Sequence, residues 1–285
     1  MIIDKLYELV KERGPVCIGL DTRLDYLPDS IACKQDISIA DKLFLFNKAI
    51  IDNTSDITAC YKVQIACYEA HGILGLQAYQ KTLAHIRKKE NIVIADVKRG
   101  DIFSTAQEYA QGHFSGDFEA DFLTINPYMG LDAIEPYFPY LDNGEKGLFI
   151  LAKTSNPSSQ DFQELVVEGQ PLYLHVARKI EEWGEKFRGK YNYSTIGAVV
   201  GLTYPEEFIK IKNVARHTFF LIPGYGAQGG TGKDFSRIFK NNINAVINSS
   251  RGIIAAHKGL DETDNFVTIT REKVLKMKKD ISQWR

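Results

Sequence analysis

The sequence contains no apolar stretch approaching the ~20 residues that span a bilayer. Its opening, Met1-Ile2-Ile3-Asp4-Lys5, also lacks the basic stretch and apolar run of a secretory signal. There is no long run of Lys or Arg, and 35 basic against 36 acidic residues leave a formal net charge of -1. Neither nucleic acid nor membrane is therefore expected as a partner, although a small anionic ligand requires only a local site. Cysteine is scarce: Cys17, Cys33, Cys60 and Cys67 form no C-x-x-C pair, and Cys17 and Cys60 lie inside apolar runs. Reduced thiols packed as small hydrophobes are the expectation. Asn53-Thr54-Ser55 and Asn248-Ser249-Ser250 match a glycosylation pattern that means nothing without secretion. No metal or cofactor motif stands out. A cytoplasmic protein of enzyme size is expected.

What the sequence does contain is a repeating alternation. Its 285 residues, 44% hydrophobic and 25% charged, suit a globular chain that needs no staples. Short Val-, Ile- and Phe-rich runs predict strands at Val16–Asp21, Thr58–Gln64, Ile92–Lys98, Phe122–Asn126, Gly147–Lys153, Ile196–Gly201, Thr218–Pro223 and Ala245–Ser249. Amphipathic stretches between them predict helices, clearest over Asp41–Asn53, Gly75–Lys89, Thr105–Phe114, Leu172–Phe187 and Glu272–Ser282. Strands that are apolar throughout and alternate with helices indicate a parallel sheet covered by helices. Eight such units favour a closed α/β TIM barrel, (β/α)8, over an open doubly wound sheet. No linker interrupts residues 1–285, which are read as one domain. Longer connections at Asp25–Ala40 and Asn156–Gln170 fall where a barrel places its active-site loops.

Polar residues collect at the ends of these strands. Asp21 ends the first, Lys62 lies on the second, Asp96 and Lys98 on the third, Lys153-Thr154-Ser155 closes the fifth, and Ser249-Ser250-Arg251 closes the eighth. Any one of them has an ordinary explanation as a helix cap or a solvent-reaching lysine. Their coincidence at one end of several strands points to a site. Asp96 and Lys98 are two residues apart, so a regular strand projects both from one face, where mutual pairing with Lys62 would help each stay ionised. Asp101 follows Gly100 and is expected to open the helix containing Ile102–Gln111, either as a cap for the amides near Phe103 and Ser104 or in a functional role. The loop Pro223-Gly224-Tyr225-Gly226-Ala227-Gln228-Gly229-Gly230 contains a formal G-x-G-x-x-G. It follows the seventh strand rather than the first, which is wrong for a dinucleotide fold, and Asp234 after Lys233 rules out a Walker A loop. Its position suits the phosphate site of barrels, with Arg251 as a further ligand.

Asp96-Val97-Lys98-Arg99-Gly100-Asp101-Ile102 resembles the D-x-K-x-x-D signature of orotidine 5'-phosphate decarboxylases, in the form of the longer bacterial, type 2 subgroup. The resemblance extends in order through Ile18-Gly19-Leu20-Asp21, Tyr61-Lys62-Val63-Gln64, Leu151-Ala152-Lys153-Thr154-Ser155-Asn156-Pro157, the glycine loop, and Asn248-Ser249-Ser250-Arg251-Gly252. It implies a cofactor-free decarboxylase acting on orotidine 5'-phosphate, working as a homodimer with shared sites. By resemblance, Lys98 protonates C6, Asp96 lies beside the substrate carboxylate, and Lys62 links Asp96 to the ribose hydroxyls. Asp21 binds the ribose, and Asp101, accompanied by Thr105, reaches into the neighbouring subunit. Ser155, or Thr154 one residue before it, contacts the pyrimidine, and Gln228, Ser250 and Arg251 bind the phosphate. The competing readings are a related sugar-phosphate decarboxylase or Schiff-base aldolase barrel, and a non-catalytic nucleotide-binding barrel.

Overall fold

A computed structural model describes residues 1–202, 205–226, 231–239, 242–260 and 263–283. Eight parallel strands close into a barrel. They are β1 (Val16–Gly19), β2 (Cys60–Gln64), β3 (Ile92–Arg99), β4 (Phe122–Ile125), β5 (Gly147–Lys153), β6 (Ile196–Val200), β7 (Phe220–Ile222) and β8 (Ala245–Ser249). Each pairs with its neighbours in sequence, and β8 closes the ring on β1 through Val16 opposite Ile247. β5 and β8 have the bounds expected from their apolar runs. β1 and β7 are shorter than expected, so Asp21 and Pro223 lie on the loops that follow them.

Helices cover the outside of the ring. The helix at Ile39–Thr54 starts at Ser38, whose hydroxyl accepts the amide of Asp41. It buries Leu43, Phe46, Ile50 and Ile51 at the three- and four-residue spacing of one helical face. The longest helix that went unread in the sequence is α1 (Ile2–Arg13). It lies across the N-terminal mouth of the barrel. The Ile2 amide donates to Gly144 O, the Asp4 carboxylate accepts from the Tyr191 amide, and the Arg13 guanidinium donates to Ser55 O. All three partners sit on loops that enter strands.

Above α1 the barrel interior is filled by aromatic rings. Phe122 and Phe149 pack with ring centroids 5.1 Å apart. A Cβ on Gly147 would sit 2.4 Å from the Phe122 ring, and one on Gly197 would sit 2.7 Å from that of Phe149. The two glycines thus make room for the two rings, and the N-terminal end of the barrel is solid. The C-terminal end is open, and the polar residues gather there.

Candidate active site

Asp21, Lys62, Asp96 and Lys98 form a string of alternating charge. Lys62 Nζ lies 2.9 Å from Asp21 Oδ1 and 2.9 Å from Asp96 Oδ2, and Lys98 Nζ lies 2.6 Å from Asp96 Oδ1. The middle pair is buried, while the Lys98 side chain keeps 46% exposure and stands at the open end of the string. Burial by itself would raise the Asp96 carboxyl, but the Lys62 and Lys98 ammonium groups overcome it and hold it well below the usual carboxylate range. Burial likewise opposes the charge on Lys62, yet Asp21 and Asp96 raise its ammonium above the ordinary lysine value. The buried pair, Lys62 and Asp96, is therefore ionised at neutral pH.

β3 achieves this by departing from a regular strand. Its register against β4 shifts between Ala95 and Arg99, and Lys98 has a φ of 43°. A left-handed backbone at a residue with a Cβ costs roughly 1–2 kcal/mol, a strain typical of functional sites. Thr124 on β4 repairs the interrupted ladder. Its hydroxyl oxygen accepts the amides of Val97 and Lys98 and donates to Asp96 Oδ1 at 2.9 Å. The expectation that Asp96 and Lys98 face the same way holds, but through an irregular strand rather than simple alternation. Gln64 adds an Nε2 donor to Asp96 Oδ2 at 3.0 Å.

Asp21 is placed by the backbone around it. Tyr68 donates to Leu20 O, and Thr22 donates to the buried Asn47 amide oxygen, whose nitrogen donates to Tyr68 and Thr82. A satisfied polar cluster of this kind fixes a loop as firmly as a strand would. Arg99 points away from the string, with its guanidinium 5.0 Å from the Tyr109 ring and its Nε donating to His113 Nε2. Burial, then the charge of Arg99, push that imidazole down to about 4, so it accepts as the neutral form.

Two adjoining cavities open onto the string. One, of about 380 Å³, has Lys62, Asp96 and Lys98 on one side, apolar Leu151, Val199 and Leu221, and the segment Thr154–Asn156. The other, of about 360 Å³, shares Lys62, Asp96 and Asn248 and adds Asp21, Ser250, Arg251 and Tyr225. Arg251 is exposed, and its guanidinium makes no hydrogen bond or ion pair among the described residues. Asn248 Oδ1, where the cavities meet, is buried with no hydrogen-bond partner among the described residues.

Of the residues expected from the sequence, Asp21, Lys62, Asp96, Lys98, Ser155, Ser250 and Arg251 line this double cavity. Asp101 and Thr105 line neither part. Asp101 Oδ1 accepts the Ile102 amide, and the helix begins at Phe103 with no side-chain cap, so Asp101 does not cap Phe103 or Ser104. Gln228 lies outside the described residues. Gln64, Thr124 and Asn248 were not singled out in the sequence. Thr124 and Asn248 are each polar on an otherwise apolar strand face, and Gln64 shares its face with Lys62; being in step with the lining positions was the available signal.

The sequence matches the orotidine 5'-phosphate decarboxylase / HUMPS family over residues 14–265. The chain belongs to this family. Among curated relatives, orotidine 5'-phosphate decarboxylase of Clostridium acetobutylicum is 54% identical over 259 residues, covering 90% of each chain. That of Clostridium botulinum strain Hall is 52% identical over 283 residues, covering 99% of each. Among solved structures, Leishmania donovani OMP decarboxylase superposes with a TM-score of 0.75 at 28% identity, covering 99% of this chain and 97% of that one. Plasmodium berghei orotidine 5'-monophosphate decarboxylase, at 24% identity and a TM-score of 0.78, shares the fold over 99% of this chain and 100% of its own. The barrel of this chain is the fold shared with these solved structures.

Proposed function

We propose that the chain is a carboxy-lyase converting orotidine 5'-phosphate to uridine 5'-phosphate and carbon dioxide, the last step of de novo UMP synthesis. The observation that carries the reading is the half-exposed ammonium of Lys98 at the end of a buried charge string, facing a cavity with apolar walls. The pyrimidine lies in that cavity against Ser155. The ribose hydroxyls meet Asp21 and Lys62, and the phosphate meets Ser250 and Arg251 in the adjoining space, with Gln228 a further phosphate ligand by resemblance alone. Asp96 stands beside the substrate carboxylate. When the C6–carboxyl bond breaks, its electron pair stays on C6 as carbon dioxide leaves. Lys98 stabilises that charge, which exists only as the bond breaks, and then donates an N–H proton to C6. It is left neutral and regains a proton from water.

No cofactor takes part in this scheme. Adding purified protein to orotidine 5'-phosphate should therefore remove the substrate's absorbance, with or without a chelator. A sugar-phosphate decarboxylase that depends on Mg²⁺ would lose activity to the chelator, a Schiff-base aldolase would be trapped on Lys98 by borohydride, and a non-catalytic nucleotide binder would leave the absorbance unchanged. Loss of all turnover on chelation, or an unchanged absorbance, would refute the reading.

The working unit proposed is a cytoplasmic homodimer. No helix among the described residues is long and apolar enough to cross a membrane. Phe103, at the start of the helix after Asp101, and Tyr128, Met129 and Leu131, in the segment after β4, are exposed apolar side chains, with Tyr128 at 87% exposure. Such a patch is the kind of surface a second copy covers. Covering it would carry Asp101, with Thr105, to the neighbour's site. Asp101→Ala and Lys98→Ala subunits, each inactive alone, should regain part of the parent activity when mixed, since one composite site in the heterodimer is intact. Confirmed heterodimers with no activity would place Asp101 within its own subunit's site.

A further inference from the structure

The segment Lys153-Thr154-Ser155-Asn156 offers two hydroxyls to the apolar cavity, and the chain that follows folds back to choose between them. The short helix Gln160–Gln163 returns over the segment, and its last side chain holds Thr154 at two points. Gln163 Oε1 accepts the Thr154 amide at 2.9 Å, and Gln163 Nε2 donates to Thr154 Oγ1 at 2.8 Å. The Thr154 hydroxyl in turn donates to Asn156 Oδ1 at 2.6 Å. Its donor and one of its acceptor sites are thus committed to the loop. Ser155 has no hydrogen-bond partner among the described residues and lines the cavity.

The returning helix is anchored beneath. Lys153, only 2% exposed, donates to Ser159 Oγ at 2.9 Å and pairs with Glu164 Oε1 at 2.7 Å. Glu207, from the helix at Pro205–Val214, lies 3.7 Å from the same ammonium. A buried cation held by residues on both sides of Gln163 limits how far that helix can drift. On the other side, a Cβ on Gly201 would sit 2.9 Å from the Ser155 Cβ, so the glycine lets Ser155 close on β6.

We infer that Gln163 is a positioning residue for the base-binding wall: it engages both polar groups of Thr154 and leaves Ser155 as the hydroxyl presented to the pyrimidine. The inference rests on the nucleotide reading above and adds a residue that acts through Thr154 without touching substrate. Gln163→Leu removes both bonds at similar volume and lets the segment rotate.

The test compares two ligands, UMP, which carries the base, and ribose 5-phosphate, which lacks it. Gln163→Leu should weaken UMP roughly tenfold while leaving ribose 5-phosphate within about twofold. Ser155→Ala should weaken UMP more than Thr154→Val does. The double variant Gln163→Leu/Thr154→Val should bind UMP no worse than Gln163→Leu alone, because both act through one hydroxyl. Urea midpoints establish that each variant is folded. If Gln163→Leu does not fold, Gln163→Glu, which keeps the acceptor for the Thr154 amide and loses the donor, should give a smaller loss confined to UMP. Unchanged UMP affinity in a folded Gln163 variant, equal loss of both ligands, or a larger loss in Thr154→Val than in Ser155→Ala overturns the inference. A parent protein that binds ribose 5-phosphate and not UMP defeats the nucleotide reading itself, and the inference with it.

Discussion

Lys98→Ala should lower kcat by on the order of 10⁵-fold, combining a lost general acid with a lost electrostatic stabiliser. UMP affinity should stay within about tenfold, since UMP has no carboxylate and gains nothing from charge that develops only in the reaction. Folding should survive as well. The Lys98 side chain is about half exposed, and Asp96 keeps Lys62, Gln64 and Thr124 as partners when it goes. Rapid-quench turnover and calorimetric titration with UMP measure the two quantities separately. Turnover within tenfold of the parent would remove Lys98 from the chemistry. Loss of UMP binding along with turnover would make it a binding residue.

Lys62→Met should act on stability. It removes the cation shared by Asp21 and Asp96 and leaves the buried Asp96 carboxylate with the Lys98 ammonium and two neutral donors, Gln64 and Thr124. Breaking a buried pair in this way costs about 3–5 kcal/mol, against which the well-packed methionine recovers only a part. The pH dependence follows from the direction of the shifts. Asp96 is depressed in the folded protein, so its contribution is present above the unfolded carboxylate value near 3.9 and is lost only in stronger acid. Lys62 is raised, so its contribution is present below about 10.4 and is lost only as pH climbs past the folded value. The parent should therefore show no change from this pair across neutral pH. In the variant the Asp96 carboxyl titrates higher, and a neutral carboxyl needs no cation. The deficit should be largest near pH 7 and shrink as pH falls through that new value. Urea unfolding at several pH values measures it, and an equal deficit at every pH would show that lost packing, not charge, is responsible.

The barrel and much of its site were legible in the sequence because both depend on period and order. The run Gly147–Lys153 is apolar up to its closing lysine, and its bounds were read without error. The convergence of Asp21, Lys62, Asp96 and Lys98 followed from their common place at strand ends. What escaped depends on register, which one strand's sequence does not contain. Thr124 reads as an ordinary strand former, and only its position opposite the irregular part of β3 makes it the partner of two amides and a carboxylate. Gln64 and Asn248 were hidden for the same reason. The helix at Ile2–Arg13 had a readable pattern in Ile3, Leu6 and Val10, but its place across the mouth of the barrel comes from partners far away in sequence. Asp101 was legible as a residue and not as a contact, because its proposed target lies on another chain.

Among the described residues, the rings of Phe122 and Phe149, with α1 beneath them, close the N-terminal end of the barrel, and the double cavity opens at the other. Nucleotide, gas and solvent must all pass through the C-terminal mouth. In the reaction proposed above, carbon dioxide formed beside Asp96 meets that closed end and leaves past the nucleotide or after it. Traffic at that doorway then sets an order of departure. Drilling the floor open, for instance by Phe122→Ala, would give the gas a second route without touching a single charged residue.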